Sequence, residues 1–173
     1  MDSSEAIVSM RKELNYEEVK KEIIYDLNEN KQIVLATSLN NRVTSRVVDF
    51  ANDDLTIYFM SWNHNKKITQ ITGNSHVALS LNNIQIEAKA EILGRPTEER
   101  NKCLLEFHKK KFSEIYVKTF SNIPEIVIVK ITPISIVKFL NIDRRFYFVK
   151  MDIANKKAYQ MRLEDKKNLE YPY

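Results

Sequence analysis

The spacing of apolar residues predicts three helical segments in this chain of 173 residues. An amphipathic helix is predicted over residues 16–28, where apolar residues recur three or four positions apart. A second, short helix is predicted over residues 65–72, with Gly73 as a left-handed cap. Helical spacing of apolar residues returns between Pro96 and Phe120, but at a run of consecutive lysines these residues shift to a different face of the predicted helix. We therefore expect a bend or two helices in that segment.

The rest of the chain shows short β-type runs separated by turns, many of them Asn/Asp-rich. The runs cover residues 33–38, 43–51, 55–61, 76–81, 84–93, 125–131, 134–140 and 145–153. Seven or eight strands with few helices favour a mainly β fold, a small antiparallel barrel with helices packed outside. Because no repeat or Pro/Gly linker interrupts the pattern, one domain is expected over residues 1–173, with 1–15 loosely ordered and 154–173 a polar tail.

Composition narrows the possible functions. The 27 basic and 23 acidic residues give a net charge of +4, which lacks the clustered excess typical of nucleic-acid binders. A single cysteine, Cys103, excludes an intrachain disulfide and fits a reducing compartment. We find no signal peptide and no apolar run of membrane-spanning length, so a cytoplasmic protein with no membrane or nucleic-acid partner is expected. The two glycines, Gly73 and Gly94, stand too far apart for a glycine-rich phosphate loop, so side chains must bind any phosphate.

Two features could bind an anion. Arg46 lies in the middle of a predicted strand, where it either faces inward and needs an anionic partner or points to solvent. The segment from Ser61 to Lys67 joins a strand to a helix, and a helix N-terminus attracts phosphate. A polar loop with two solvated lysines is the alternative for that segment.

Other reactive residues give no site in the sequence. The three histidines have no metal-ligand spacing, so no metal is expected; they are His64, His76 and His108. Cys103 stands beside two leucines on a predicted helix and is expected to be a core thiol. No catalytic side chain is identified.

The order of these segments resembles a known family. Several short motifs occur in sequence, among them Ile33-Val34-Leu35-Ala36-Thr37, Ser45-Arg46-Val47-Val48, Tyr58-Phe59-Met60-Ser61, Asn65-Lys66-Lys67-Ile68-Thr69-Gln70-Ile71 and Ile86-Glu87-Ala88-Lys89-Ala90-Glu91. Together they resemble the FMN-binding split barrel of the pyridoxamine 5′-phosphate oxidase family. The resemblance implies an antiparallel split β-barrel with helices outside, non-covalently bound FMN, and a homodimer with FMN in the groove between subunits.

The resemblance also implies which residues contact the cofactor. Arg46 and Lys67 match basic residues that hold the FMN phosphate, and Ser61 and Lys66 match positions beside it. The backbone of Val47 and Val48, which follow Arg46 along the strand, would run beside the isoalloxazine ring. The side-chain amide of Asn83 would lie near the flavin.

The residues that bind the substrate in this family are not recognisable in the sequence. Ala51 stands where the vitamin-processing oxidase has a lysine, and the residues that bind the pyridoxal phosphate group are not found. The expected function is therefore an FMN-dependent oxidoreductase acting on an unknown small molecule. The alternative is a non-catalytic module that stores or senses flavin, or that holds another cofactor such as haem or a deazaflavin.

Overall fold

The computed structural model describes residues 11–162, which form ten strands and four helices. In chain order they are β1 (Arg11–Leu14), α1 (Tyr16–Glu29), β2 (Gln32–Leu39), β3 (Arg42–Asp49), β4 (Ala51–Asp53), β5 (Thr56–Trp62), α2 (Lys66–Gly73), β6 (His76–Leu81), β7 (Ile84–Gly94), α3 (Lys102–Lys111), α4 (Glu114–Ser121), β8 (Ile126–Ile142), β9 (Arg145–Asp152) and β10 (Lys157–Arg162). A single 3₁₀ turn, Glu99–Asn101, precedes α3. Among these residues, no helix has the length and apolar character that a membrane crossing needs.

The strands form an antiparallel barrel that is open along one side. The sheet runs β1-β10-β9-β8-β7-β6-β2-β3, and the long strand β8 also pairs with β5, which pairs in turn with β4. Strands β3 and β5 lie side by side but share no backbone ladder. This opening matters for function because side chains from both strands meet there.

The barrel interior is filled by the alternating apolar residues of its strands. Phe50, Phe59 and Ile131 are fully buried. Helix α1 closes the barrel with its apolar stripe of Val19, Ile23 and Leu27. The mainly β split-barrel architecture predicted from the sequence is confirmed, as are the first two helices, to within one or two residues at their ends.

Lys111 joins the end of α3 to the end of α1. Its Nζ donates to the carbonyl oxygens of Leu27 (2.6 Å) and Asn30 (2.8 Å), which lie at the C-terminal end of α1. It also lies 3.7 Å from the centroid of the Phe50 ring. Burial lowers the Lys111 pKa to about 8. A basic group at a helix C-terminus satisfies carbonyls that the helix itself leaves without partners.

The second half of the chain differs from the prediction at Pro133. Two separate strands were expected around this residue, but β8 is continuous from Ile126 to Ile142. Glu87 pairs with Ser135 while Ala88 pairs with Pro133, so β8 carries one extra residue at a bulge. A bulge accommodates the missing N–H of proline without ending the strand. The expected break in the helical segment is confirmed, since α3 ends at Lys111 and α4 begins at Glu114.

Both ends of the described chain are more regular than expected. Arg11–Leu14, predicted to be loosely ordered, pairs with Lys157–Arg162, which was predicted to belong to a polar tail. Strand β1 is held at the sheet edge by its backbone ladder to β10, and its side chains are largely exposed, which is why the sequence gives no apolar signal for it. The remaining parts of those predictions, residues 1–10 and 163–173, lie outside the described residues.

Two single-residue predictions are wrong. Gly73 is the last residue of α2 and has no left-handed φ, so it is not the predicted cap. A Cβ there would lie 2.6 Å from Leu39 Cδ1, so a larger residue at this position would require the Leu39 side chain to move. Cys103 is exposed rather than a core thiol, because α3 turns its His108 face inward.

Candidate functional site

The opening between β3 and β5 contains a cavity of about 240 Å³. Its floor and walls come from both strands, from the start of α2 and from α4. The lining residues are Val47, Val48, Asp49, Met60, Ser61, Trp62, Asn65, Lys67, Tyr116 and Phe120. One end of this set is polar and the other is aromatic, so the cavity suits a ligand with one polar and one planar, apolar part.

The polar end is built at the junction of β5 and α2. Ser61 is buried, and its Oγ accepts a hydrogen bond of 3.3 Å from Asn65 Nδ2. Asn65 precedes α2 as its N-cap, yet its side chain makes no capping hydrogen bond. The leading N–H groups of α2 therefore have no side-chain acceptor within the described residues. A helix start of this kind favours an anion.

Lys67 supplies a cation at the same point. Its side chain is partly buried, and burial together with the nearby charge of Arg46 lowers its pKa. Within residues 11–162, neither Lys67 nor Arg46 forms an ion pair with a carboxylate. Two neighbouring cations that lack a counter-charge repel each other, and a bound anion would remove that repulsion.

Arg46 faces inward from β3, which decides between the two orientations considered from the sequence. The side chain is partly buried, and burial lowers its pKa. One terminal nitrogen donates to Leu35 O (3.3 Å) and Thr37 Oγ1 (2.6 Å), and the other donates to Thr44 Oγ1 and Gln70 Oε1 (3.4 Å). All four acceptors are uncharged, so the guanidinium is held in place without being neutralised.

Gln70, on α2, connects this network and was not identified from the sequence. It is 3% exposed, and its Oε1 accepts from the hydroxyls of Thr37 (2.7 Å) and Thr44 (2.8 Å). A signal was present: Thr37 continues the buried alternation of Ile33 and Leu35 in β2, where a polar side chain needs a buried partner.

The remaining predicted cofactor residues divide into two groups. Val47 and Val48 line the cavity, as does Ser61. Lys66 is exposed in the first turn of α2 and is outside the lining set. Asn83 lies in the turn between β6 and β7, where its side chain donates to Phe139 O and its carbonyl accepts from Phe139 N (2.9 Å). Val47, Val48, Ser61 and Lys67 thus line the cavity, and Lys66 and Asn83 lie apart from it. Arg46 is not a lining residue, but it is near enough to Lys67 to lower the Lys67 pKa.

Comparison with known proteins identifies the fold family. The sequence pattern of the family described as pyridoxamine 5′-phosphate oxidase matches residues 19–139, more than half of the chain. The chain belongs to this family. No curated protein sequence matches it.

Solved structures of similar fold include proteins with different described roles. General Stress Protein 26 from Bacillus anthracis is 26% identical, with a TM-score of 0.57, over 74% of this chain and 96% of that one. The heme storage protein HutZ from Vibrio cholerae is 16% identical, with a TM-score of 0.56, over 65% and 88%. A pyridoxamine 5′-phosphate oxidase-related, FMN-binding protein from Nostoc punctiforme is 11% identical, with a TM-score of 0.52, over 86% and 93%.

In this member of the pyridoxamine 5′-phosphate oxidase family, one wall of the cavity is aromatic, which the sequence interpretation missed. Tyr116 and Phe120 stack at 5.7 Å between ring centroids, and Phe120 meets the edge of Trp62 at 6.3 Å. The Tyr116 hydroxyl donates to Asp49 Oδ2 (3.0 Å), and burial and Asp49 raise the Tyr116 pKa. The four-residue spacing of aromatic residues along α4 was the available signal.

Other candidate chemistry is limited. Ala51, at the position where the resemblance places a lysine in the vitamin-processing oxidase, is fully buried in β4. Among the described residues, no group of three or more His, Cys, Asp or Glu side chains could hold a metal ion. His64 is exposed, with its ring centroid 5.7 Å from that of Trp62.

Proposed function

We propose that this protein is an FMN-binding oxidoreductase that acts on a small molecule. The proposal rests on one observation: Lys67 lines the polar end of an open cavity beside an uncapped helix start, Arg46 is near enough to lower the Lys67 pKa, and neither cation has a carboxylate partner among the described residues. A phosphate supplies the missing negative charge and accepts several hydrogen bonds. The FMN-binding relative from Nostoc punctiforme shares the fold and supports this choice of ligand.

The residues in and beside the cavity match both parts of FMN in their chemistry. Lys67, Ser61 and the start of α2 would bind the phosphate, with Arg46 adding charge, and Lys66 would add a weaker, exposed charge nearby. Val47 and Val48 would lie along the ring, opposite the aromatic side chains of α4. Bound FMN would supply the electron transfer, while the protein binds it, orients it and excludes water. Asn83 stays a predicted flavin neighbour.

The charge state of Lys67 gives FMN binding a pH dependence. Because the Lys67 pKa is lowered, its ammonium is lost at a lower pH than that of an ordinary lysine. Above about pH 7.5 the phosphate is already a dianion, so affinity should fall as pH rises toward 9.5. Lys67→Arg keeps its charge throughout that range and should show a flatter profile. Parallel fluorescence titrations measure both; identical profiles would contradict the role of Lys67.

We further propose that FMN binds between two copies of this chain. Typical ligand cavities span roughly 300–1,000 Å³, so the cavity of about 240 Å³ is small for a complete site. A groove of about 400 Å³ lies on the outer sheet face, lined in part by Val43 and Ile134. Val43 is 67% exposed and Val47, further along β3, is 57% exposed. Since Val47 also lines the site and shares a strand face with Val43, this face of β3 runs from the groove to the cavity.

A second function, storage of a cofactor without turnover, has one observation in its favour. The fold resembles that of a heme storage protein, and His64 lies against Trp62 near the cavity. Haem binding that is lost in His64→Ala, together with no affinity for FMN, would favour this function.

Turnover separates an enzyme from a flavin store. We expect the FMN-loaded protein to be reduced by a nicotinamide donor and reoxidised by oxygen or a small organic acceptor over many cycles. Absorbance of the oxidised flavin follows both steps, with free FMN at the same concentration as the control. Bound flavin that no donor reduces, or that no acceptor reoxidises faster than free flavin, would contradict the enzyme proposal while leaving FMN binding intact.

A further inference from the structure

The hydrogen bonds around Gln70 fix the direction of every proton in its network. Gln70 Nε2 donates to the carbonyl oxygen of Arg42 (3.0 Å), so the amide oxygen must face the two threonines. This oxygen can only accept, and therefore Thr37 and Thr44 both donate their hydroxyl protons to it. Each threonine oxygen then presents its lone pairs to Arg46.

Arg46 is consequently held by acceptors that cannot neutralise it. Its two terminal nitrogens carry four N–H groups and make four hydrogen bonds, to Leu35, Thr37, Thr44 and Gln70. The Nε–H is the one guanidinium donor without a partner among the described residues. A carboxylate in place of the Gln70 amide would still accept from both threonines and from Arg46, but it would cancel the charge and could not donate to the Arg42 carbonyl oxygen.

We propose that Gln70 is a positioning residue for the anion subsite. It aligns both threonine hydroxyls toward Arg46, and because it is neutral it leaves the cationic charge available to a phosphate group held by Lys67. This inference rests on the proposed FMN site. The inference adds that affinity for the phosphate depends on a neutral side chain at position 70. This side chain need not touch the ligand.

The test compares FMN with riboflavin, which has the same ring and lacks the phosphate. Gln70→Glu should lower FMN affinity by about tenfold or more and leave riboflavin affinity unchanged. Its FMN affinity should stay below that of the wild type as pH falls from 7 to 5, because a carboxyl beside Arg46 stays ionised below its ordinary pKa of about 4.3. A merely structural role, such as the lost hydrogen bond to the Arg42 carbonyl oxygen, would weaken both ligands equally.

A second variant keeps the inference testable if Gln70→Glu does not fold. Thr44→Val removes one aligned hydroxyl while preserving the charge of Arg46, so FMN affinity should fall by a smaller factor, about twofold to fivefold, again with riboflavin unchanged. An unchanged ratio of FMN to riboflavin affinity in whichever of the two variants folds would overturn the role of Gln70. Failure of the wild-type protein to bind FMN would instead overturn the proposed function, so the two failures are distinguishable.

Discussion

Replacing Lys67 with alanine should weaken FMN binding by about tenfold to a hundredfold. A hydrogen bond to a charged group contributes roughly 1.5–3 kcal/mol, which corresponds to this range of affinity. The loss should be large because Lys67 is partly buried and lines the cavity, where solvent screens its charge less than at the surface. Fluorescence titration of the purified variant with FMN measures the change.

Lys66→Ala is the matched control for this prediction. This substitution removes the same charge from the preceding residue, but Lys66 is exposed and does not line the cavity. Its effect on FMN affinity should stay within about threefold, as expected for a solvent-screened charge. Riboflavin affinity should be similar in both variants. Equal losses of FMN affinity from the two substitutions, or none from Lys67→Ala, would refute the assignment of Lys67 to the phosphate.

Val43→Asp should convert a dimer into monomers and, as a consequence, weaken FMN binding at least about tenfold. Val43 is 67% exposed and lines the outer groove, so a dimer would bury the introduced carboxylate without a partner. Removing such a charge from water costs several kcal/mol, and each 1.4 kcal/mol raises the dissociation constant of the dimer about tenfold. Light scattering gives the mass in solution, and the FMN titration is repeated at the same protein concentration.

Tyr25→Asp provides the comparison for the dimer prediction. Tyr25 is 65% exposed on α1 and does not line the groove. This variant should keep the mass and the FMN affinity of the wild type. A wild-type protein that is monomeric yet binds FMN tightly would contradict the shared site. A dimer that persists in Val43→Asp would show that the interface lies elsewhere on the chain.

The barrel could be predicted from the sequence because its strands alternate in hydrophobicity. Residues 84–93 show this best, and the structure places β7 there. Strand β1 and the Pro133 bulge were missed because edge pairing and bulges depend on backbone partners elsewhere in the chain.

Local pattern identified part of the candidate site. Lys67 and Ser61 stand at a strand–helix junction that is visible in the sequence, and Arg46 is a charge within an apolar strand. The contact between Gln70 and Thr37 joins positions 33 residues apart. Which polar side chains meet in the interior is set by how α2 packs on β2, and a single sequence does not encode that packing in any short pattern.

The central claim is that this cavity binds FMN through its phosphate, and a paired titration of the wild-type protein tests it directly. The protein, freed of any bound ligand by denaturation and refolding, is titrated with FMN and with riboflavin under identical conditions. We predict that FMN binds at least about tenfold more tightly, since only FMN meets Lys67 and Arg46 with a phosphate. Equal affinity for the two flavins, or no binding of either, would contradict the account.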